Sequence, residues 1–270
     1  MNRRVRNPSL TIGVTIVVAI VTGAILGPIL FRADPLSIDL ANILAGPSRA
    51  HPLGCDSLGR DVLARIMFGA RLSLSISTVV VAISLVVGSL IGAAAALSGG
   101  PIDNLIMRGV DIVLAFPGIL LAIALAAILG PGLIDLTIAL TAMGWTGYAR
   151  IVRGEVLTLR ERDYVLAAQS LGASQPRLLL RHLLPGVVGP LAVQATFGIG
   201  GIIGAEAALS FLGLGAIPPT PSWGNMLDAG RAFLLVAPHL TTAPGLAIGF
   251  TILGFNLLGD GIAQKVSSRA

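Results

Sequence analysis

Residues Arg150–Pro185 read RIVRGEVLTLRERDYVLAAQSLGASQPRLLLRHLLP and form the longest strongly charged segment of the chain, with long apolar runs on both sides. Six charged side chains lie close together in it: Arg153, Glu155, Arg160, Glu161, Arg162 and Asp163. One charge at the centre of a bilayer costs roughly 2.5–3.5 kcal/mol on insertion scales, so six together exclude insertion. We therefore expect this segment to lie in water or against another protein.

Composition places much of the remaining chain in a membrane. Of the 270 residues, 54% are hydrophobic and only 11% are charged, and the mean hydropathy is +0.90. A soluble fold of this size needs far more polar surface, so the sequence predicts an all-α integral membrane protein. Lys265 is the only lysine, and the net charge of +5 comes from arginine, which is typical of membrane orientation rather than of nucleic-acid binding. The single cysteine, Cys55, excludes an internal disulfide.

Six apolar segments are long enough to cross about 30 Å of hydrocarbon as helices. These predicted spans are Leu10–Phe31, Ser73–Leu97, Ile112–Gly130, Leu133–Ala149, Gly186–Leu209 and Leu240–Gly259. The first is too long for the apolar part of a signal peptide, and no cleavage site follows it, so we expect it to be retained. With the N-terminus inside, twelve of the eighteen Lys and Arg residues are cytoplasmic, as are both termini and Arg150–Pro185. Residues 32–72 and 210–238 are then external.

Glycine spacing recurs in four of these spans. Pairs at GxxxG spacing are Gly23/Gly27, Gly88/Gly92, Gly200/Gly204 and Gly245/Gly249. Such pairs let membrane helices approach closely. Because the chain has 34 glycines, each single pair is weak support for a packed, moving bundle.

The charged segment itself has a helix–turn–helix pattern. One apolar helical stripe is predicted from Leu157, Tyr164, Ala168 and Leu171. Gly172 is expected to break that helix, and Ser174 to cap a second short helix with Pro176 in its first turn. Pro185 is expected to end the second helix.

This pattern resembles the EAA loop of ATP-binding-cassette (ABC) importer permeases, in which two alanines, a glycine four residues on and a Leu-Pro thirteen residues beyond recur. Leu166 stands where that family usually has a glutamate, so an ion pair from this position to a nucleotide-binding partner is in doubt. The resemblance implies coupling to an ATPase through Asp163, Leu166, Ala167, Ala168, Gly172, Ala173, Ser174, Arg181, Leu184 and Pro185. The alternative is a generic amphipathic cytoplasmic loop.

Three further blocks are similar to permeases of the dipeptide, oligopeptide and nickel branch of that family. They are residues 51–74 (HPLGCDSLGRDVLARIMFGARLSL), 98–118 (SGGPIDNLIMRGVDIVLAFPG) and 205–231 (AEAALSFLGLGAIPPTPSWGNMLDAGR). In the first block we expect an interfacial helix that begins near Val62 and precedes the span from Ser73. In the third we expect Trp223 to anchor the external loop at the headgroup level.

Taken together, the four collinear blocks resemble a type I ABC-importer permease of six transmembrane helices. The resemblance implies a second, homologous permease subunit, two ABC ATPase subunits that carry ATP and Mg, and an extracytoplasmic substrate-binding protein in a bacterial cell membrane. The chain has no G-x-x-x-x-G-K-[ST] phosphate loop, so we expect a non-catalytic subunit. A peptide cargo is expected, with nickel or a nickel chelate as the alternative.

The alternatives are an ion-driven secondary transporter and a metal site. An ion-driven secondary transporter usually needs several intramembrane charges, whereas only Glu206, close in sequence to Gln194, and Asp135 qualify. Glu206 and Gln194 are candidates for lining a translocation path, although Glu206 also lies close enough to the outer end of its span to be interfacial. A metal site formed by His51, Cys55, Asp56 and Asp61 is disfavoured because no second His or Cys lies nearby.

Overall fold

The computed structural model describes residues 8–30 and 34–267. The predicted end of the first span at Phe31 and the extreme termini lie outside these residues. The described chain is helical, with one isolated antiparallel bridge between Cys55 and Asp61. Ten α-helices are present in the described ranges: α1 Pro8–Leu30, α2 Val62–Ser98, α3 Gly100–Ala115, α4 Gly118–Leu129, α5 Leu133–Leu159, α6 Asp163–Ser170, α7 Gln175–Leu178, α8 Leu184–Phe211, α9 Trp223–Arg231 and α10 His239–Ser267.

Helices occupy all six predicted spans in the described residues. By length and composition, four helical segments there suffice to cross a membrane: Pro8–Gly27, Val62–Ser98, Gln175–Phe211 and His239–Ser267. A fifth results if α3 and α4 are counted as one bent span. Helix α5 covers the remaining predicted span, and its 27 residues extend about 40 Å. The prediction of an all-α membrane protein is confirmed, and the count of six spans stays a prediction.

The predicted span Ile112–Gly130 is wrong as a single helix. Its first residues belong to α3, the rest to α4, and the two helices meet at an angle of 85°. The bend lies at Phe116 and Pro117, where Phe116 is extended (φ −86°, ψ 138°). A proline disfavours helical backbone in the residue before it and cannot donate a backbone hydrogen bond, which accounts for the break.

The predicted interfacial helix before Ser73 is also wrong as a separate element. Helix α2 runs without a break for 37 residues, or about 55 Å, so its first turns extend beyond the hydrocarbon thickness. Asp61 caps it, because its Oδ1 accepts a hydrogen bond from the backbone N–H of Ala64 at 2.8 Å. The helix contains no internal proline that would separate an interfacial part from a spanning part.

The most extensive helix packing joins α2 to α5, and it depends on one of the four predicted glycine pairs. A Cβ atom at Gly88 would meet the backbone oxygen of Trp145, and one at Gly92 would meet that of Ala149. Both are backbone-to-backbone approaches that a larger residue would block. By contrast, Gly23 and Gly249 face open space.

The segment from residue 34 to 61 contains several contacts between acidic and basic side chains. Asp56 contacts Arg60 at 2.7 Å and Arg65 at 3.5 Å, while His51 contacts Asp61 at 2.8 Å. These contacts occupy the carboxylates that a metal site would need. Among residues 8–30 and 34–267, no group of three or more His, Cys, Asp or Glu side chains is arranged to hold a metal ion.

The position of Trp223 differs from the predicted one. Its side chain is only 1% exposed, and its indole N–H donates a hydrogen bond to the Ile66 carbonyl oxygen of α2 at 3.0 Å. Gly69 leaves space for the ring, since a Cβ there would lie 3.0 Å from Trp223 Cδ1. Trp223 therefore attaches the start of α9 to α2 inside the protein, and it does not anchor the loop among lipid headgroups.

Candidate functional site

The predicted helix–turn–helix is present, and its turn is a complete Schellman motif. After α6, the N–H of Gly172 donates to the Gln169 carbonyl at 2.9 Å, and the N–H of Ala173 donates to that of Ala168 at 3.1 Å. Gly172 has φ +83°, in the left-handed region that favours glycine. The prediction that Gly172 breaks the helix is confirmed by this geometry.

The apolar stripe predicted to start at Leu157 is wrong as one helix. Helix α5 ends at Leu159, and α6 begins at Asp163 after a tight turn through Arg160. Leu157 therefore lies on α5, whereas Tyr164, Ala168 and Leu171 lie on or beside α6. The charged run Arg160–Asp163, which is unfavourable in a membrane, forms this turn outside α5.

The second short helix starts as predicted but does not stop where expected. Ser174 is the N-cap residue of α7 and Pro176 lies in its first turn, although the Ser174 side chain makes no capping hydrogen bond. The chain then passes through one π-helical turn, Leu179–Leu183, directly into α8. Pro185 falls in the first turn of α8 and does not end the helix.

The π turn has a physical reason. Proline lacks an amide hydrogen and its ring crowds the carbonyl four residues earlier, which for Pro185 is that of Arg181. In the wider turn, the N–H of Leu184 bonds to the carbonyl of Leu179, five residues back. We attribute the extra residue in this turn to the ring and the missing N–H of Pro185. Single π turns are frequent at functional sites.

One face of the helix–turn–helix is buried in the protein. Val165, Leu178 and Leu183 are 2–3% exposed. They belong to a cluster with Val81 and Ala96 of α2, Tyr148, Val152 and Val156 of α5, and Val187 and Leu191 of α8. The short helices α6 and α7 therefore pack against three long helices, α2, α5 and α8, in one close-packed core.

Large apolar side chains are exposed around this buried face. Tyr164 is 50% exposed, Leu166 47%, Leu180 63% and Leu171 89%. Of the residues assigned to ATPase coupling, most are exposed and three are partly buried, namely Ala168, Ala173 and Leu184. Exposed apolar side chains of this size, together with the exposed Arg177 and Arg181, are typical of a protein-binding surface.

A polar pocket of about 230 Å³ lies behind Leu166, between the end of α2 and the two short helices. Its lining includes Glu161, Gln169 and Gln175. The carboxylate nearest in sequence to Leu166 on this lining is therefore Glu161, in the α5–α6 turn. Outside this lining, the Tyr164 hydroxyl donates a hydrogen bond to the His182 carbonyl at 3.4 Å.

Glu206 lies between two helices and is completely buried. Its Oε2 accepts a hydrogen bond from Ser73 Oγ of α2 at 2.7 Å, and its Oε1 accepts one from Ser210 Oγ at 2.8 Å. Gly224, in the first turn of α9, packs against the same turn of α8, next to Ala207 and Ser210. Glu206 thus links α2 to α8, and its side chain is enclosed by protein rather than exposed to lipid.

Gln194 is not part of this arrangement. It is half-buried on α8, twelve residues before Glu206, and so about 18 Å away along the helix. A Cβ at Gly147 would lie 3.6 Å from its Nε2, which places Gln194 against α5. Sequence reasoning missed Ser73 and Ser210: the i, i+4 spacing could have indicated Ser210, whereas Ser73 is distant in sequence.

The fold defines a class of protein. The inward-facing MetNI methionine ABC transporter has a chain that aligns with a TM-score of 0.60 at 19% identity, covering 73% of this chain and 94% of that one. This likeness identifies the fold as that of a type I ABC-importer permease, as predicted.

The family follows from sequence. The profile of the "binding-protein-dependent transport system inner membrane component" family matches residues 84–270. The dipeptide transport system permease protein DppC of Alkalihalophilus pseudofirmus is 42% identical over 264 residues, 98% of this chain and 87% of that protein. The glutathione transport system permease protein GsiD of Shigella dysenteriae serotype 1 is 46% identical over 231 residues, 86% of this chain and 76% of that protein. The chain belongs to this family of transport permeases, and it is a transport component rather than an enzyme.

Proposed function

We propose that this chain is one permease subunit of an ATP-driven importer of short peptides in a bacterial inner membrane. The observation that carries the proposal is the near full-length similarity to a dipeptide permease, with the helix–turn–helix formed around Gly172. Similarity to glutathione permeases supports the same class of cargo, since glutathione is a tripeptide. The chain works with a second permease subunit, two ATPase subunits that bind ATP and Mg, and an external binding protein.

In this proposal, α6, the Gly172 turn and α7 form the contact with the ATPase. The exposed side chains of Tyr164, Leu166 and Leu171 are available for docking, and the buried face packs against α2, α5 and α8. A nucleotide-driven movement of the ATPase would displace this rigid element and the three helices with it. To drive transport, each nucleotide state must favour one arrangement of the helices by its contact free energy.

Glu206 is assigned a positioning role, since its carboxylate is enclosed by two serine hydroxyls. A residue that lines a peptide path must be reachable from that path. Gln194, half-buried between α5 and α8, remains a candidate for lining it. Both termini and the helix–turn–helix are cytoplasmic in this proposal, and α9 with its flanking loops faces the binding protein.

Uptake into proteoliposomes tests the proposal. The chain would be co-purified with the subunits encoded beside it, and ATP-dependent uptake of a radiolabelled dipeptide, glutathione or nickel would be measured with each loaded binding protein. Uptake of a dipeptide or glutathione is expected. Uptake of nickel alone would leave the ABC assignment and change the cargo. Uptake driven by an ion gradient without ATP would contradict the proposed function and favour a secondary transporter.

A further inference from the structure

Helix α3 has an exposed face that is separate from the helix–turn–helix around Gly172. Ile102 is 57% exposed, Leu105 75% and Ile112 64%, and Arg108 lies between them. At 3.6 residues per turn these four positions share one side of the helix. The opposite side is buried through Asp103 and Val110. The helix is therefore amphipathic, with a cation at one edge of its exposed apolar face.

Its length and direction separate α3 from the spanning helices. It has 16 residues and α4 has 12, so they extend about 24 Å and about 18 Å, each less than the hydrocarbon thickness of about 30 Å. The 85° angle between them prevents both from lying along the membrane normal. Helix α4 packs along α5, where a Cβ at Gly118 would lie 3.1 Å from Met143 Cε.

Two ion pairs fix how α3 crosses α5. Arg153 holds Asp103 with both its Nε and an NH₂ group, at 2.6 and 2.7 Å, and Arg150 holds Asp111 at 2.6 Å. The two arginines are about 4.5 Å apart along α5, whereas the two aspartates are about 12 Å apart along α3. Helix α3 therefore crosses α5 at a large angle, and the crossing lies beside Arg150 and Arg153.

We propose that α3 lies flat in the headgroup region of the membrane. Ile102, Leu105 and Ile112 enter the boundary of the acyl chains, and Arg108 binds a lipid phosphate. An interfacial helix combines an apolar face with basic side chains in this way, and a guanidinium matches a phosphate geometrically. Within the part of the chain that the structure describes, the exposed Arg108 makes no ion pair or side-chain hydrogen bond, so its charge is available to a lipid. That α3 lies in the cytoplasmic leaflet follows from the orientation given under the proposed function and rests on it.

Depth measurement by spin labelling tests the position of α3. Leu105→Cys and Ile112→Cys would be made in a Cys55→Ser background, labelled with a nitroxide and reconstituted with the partner subunits. Thr158→Cys is the control, because this exposed position lies in the last turn of α5 and is not among the residues assigned to the ATPase contact. Labels at 105 and 112 are expected to give a ratio of collisions with oxygen to collisions with a water-soluble nickel complex severalfold above that at 158. An equal ratio, or shielding from both reagents by a protein subunit, would overturn the proposal.

A second measurement tests Arg108 itself. Gly109→Cys places a fluorophore beside it, at a position where a Cβ meets open space. Brominated phosphatidylglycerol is expected to quench this fluorophore more than brominated phosphatidylcholine does, and Arg108→Gln should remove the difference while Arg108→Lys keeps it. An unchanged difference in Arg108→Gln would refute the phosphate contact.

The two proposals fail separately. The depth of a label does not depend on cargo, so an unexpected substrate leaves the α3 result unaffected. If labels at 105 and 112 have interfacial depth but are reduced by an impermeant reagent added outside, the headgroup position is supported and the proposed orientation of the permease is contradicted.

Discussion

At the residue scale, Gly172 is the position where a single side chain most directly affects the conformation of the helix–turn–helix. Its φ of +83° belongs to the region that L-residues avoid, at a cost of roughly 1–2 kcal/mol. Nothing lies within 4 Å of a Cβ placed there, so backbone conformation and not crowding is the constraint.

We therefore expect Gly172→Val to distort the turn and lower the number of peptides transported per ATP hydrolysed, without preventing membrane insertion. Gly172→Asn should retain most coupling because asparagine tolerates the left-handed conformation. Gly154→Ala is the matched control, an exposed helical glycine of α5 with open space around it. The measurement is paired uptake and ATPase activity, and wild-type coupling in Gly172→Val would contradict the assigned role of the turn.

Glu206 supplies a second prediction at this scale. Glu206→Ala leaves the hydroxyls of Ser73 and Ser210 without their carboxylate partner, and each lost partner costs roughly 1–3 kcal/mol in a buried site. Glu206→Gln keeps one acceptor oxygen and gains a donor, so we expect a much smaller loss. Thermal unfolding in detergent should give the lowest midpoint for the alanine variant. If the glutamine variant melts like the wild type but abolishes uptake, Glu206 acts in transport and not in positioning.

At the element scale, the sequence predicted where helices occur better than where they bend or stop. The turn at Gly172 depends on residues close to it in sequence, so the sequence was enough to predict it. Pro185 misled because the π turn before it depends on how α7 continues into α8, and Phe116-Pro117 misled because hydropathy does not change across a kink. Trp223 could not be placed from sequence, since its partner Ile66 is 157 residues away.

The α2–α5 contact yields a prediction about packing. Gly88→Ala and Gly92→Ala would each place a methyl group against a backbone carbonyl of α5, so we expect both to separate the helices and lower the unfolding midpoint. Gly249→Ala is the control because its Cβ meets open space. Destabilisation by Gly249→Ala but not by Gly88→Ala would show that the close approach of α2 and α5 has been misplaced.

At the scale of the whole molecule, the account requires the helix–turn–helix and the loop after α9 to lie on opposite sides of the membrane. Leu171 is 89% exposed and Leu235 is 100% exposed. In a Cys55→Ser background, an impermeant maleimide applied to cells with a permeabilised outer membrane should label Leu235→Cys but not Leu171→Cys, until the inner membrane is opened. Labelling of Leu171→Cys in sealed cells would invert the proposed topology.

The native cysteine gives an independent check of the fold of residues 34–61. Cys55 is completely buried, and burial, followed by the charges of Asp61 and Asp56, raises the pKa of its thiol. A raised pKa means less thiolate at neutral pH, so both access and chemistry oppose reaction. We expect no maleimide labelling of the folded wild-type protein and rapid labelling after denaturation. Labelling of the folded protein would show that the external segment opens.

The most direct test of the central claim is a cross-link between this chain and its ATPase. Leu171→Cys, at the tip of the helix–turn–helix, would carry a photoactivatable cross-linker in the assembled transporter, with Leu235→Cys as the comparison. The account predicts a covalent product with the ATPase subunit from position 171 and none from position 235. A product with the ATPase from 235, or none from 171 in a complex that hydrolyses ATP, would contradict it.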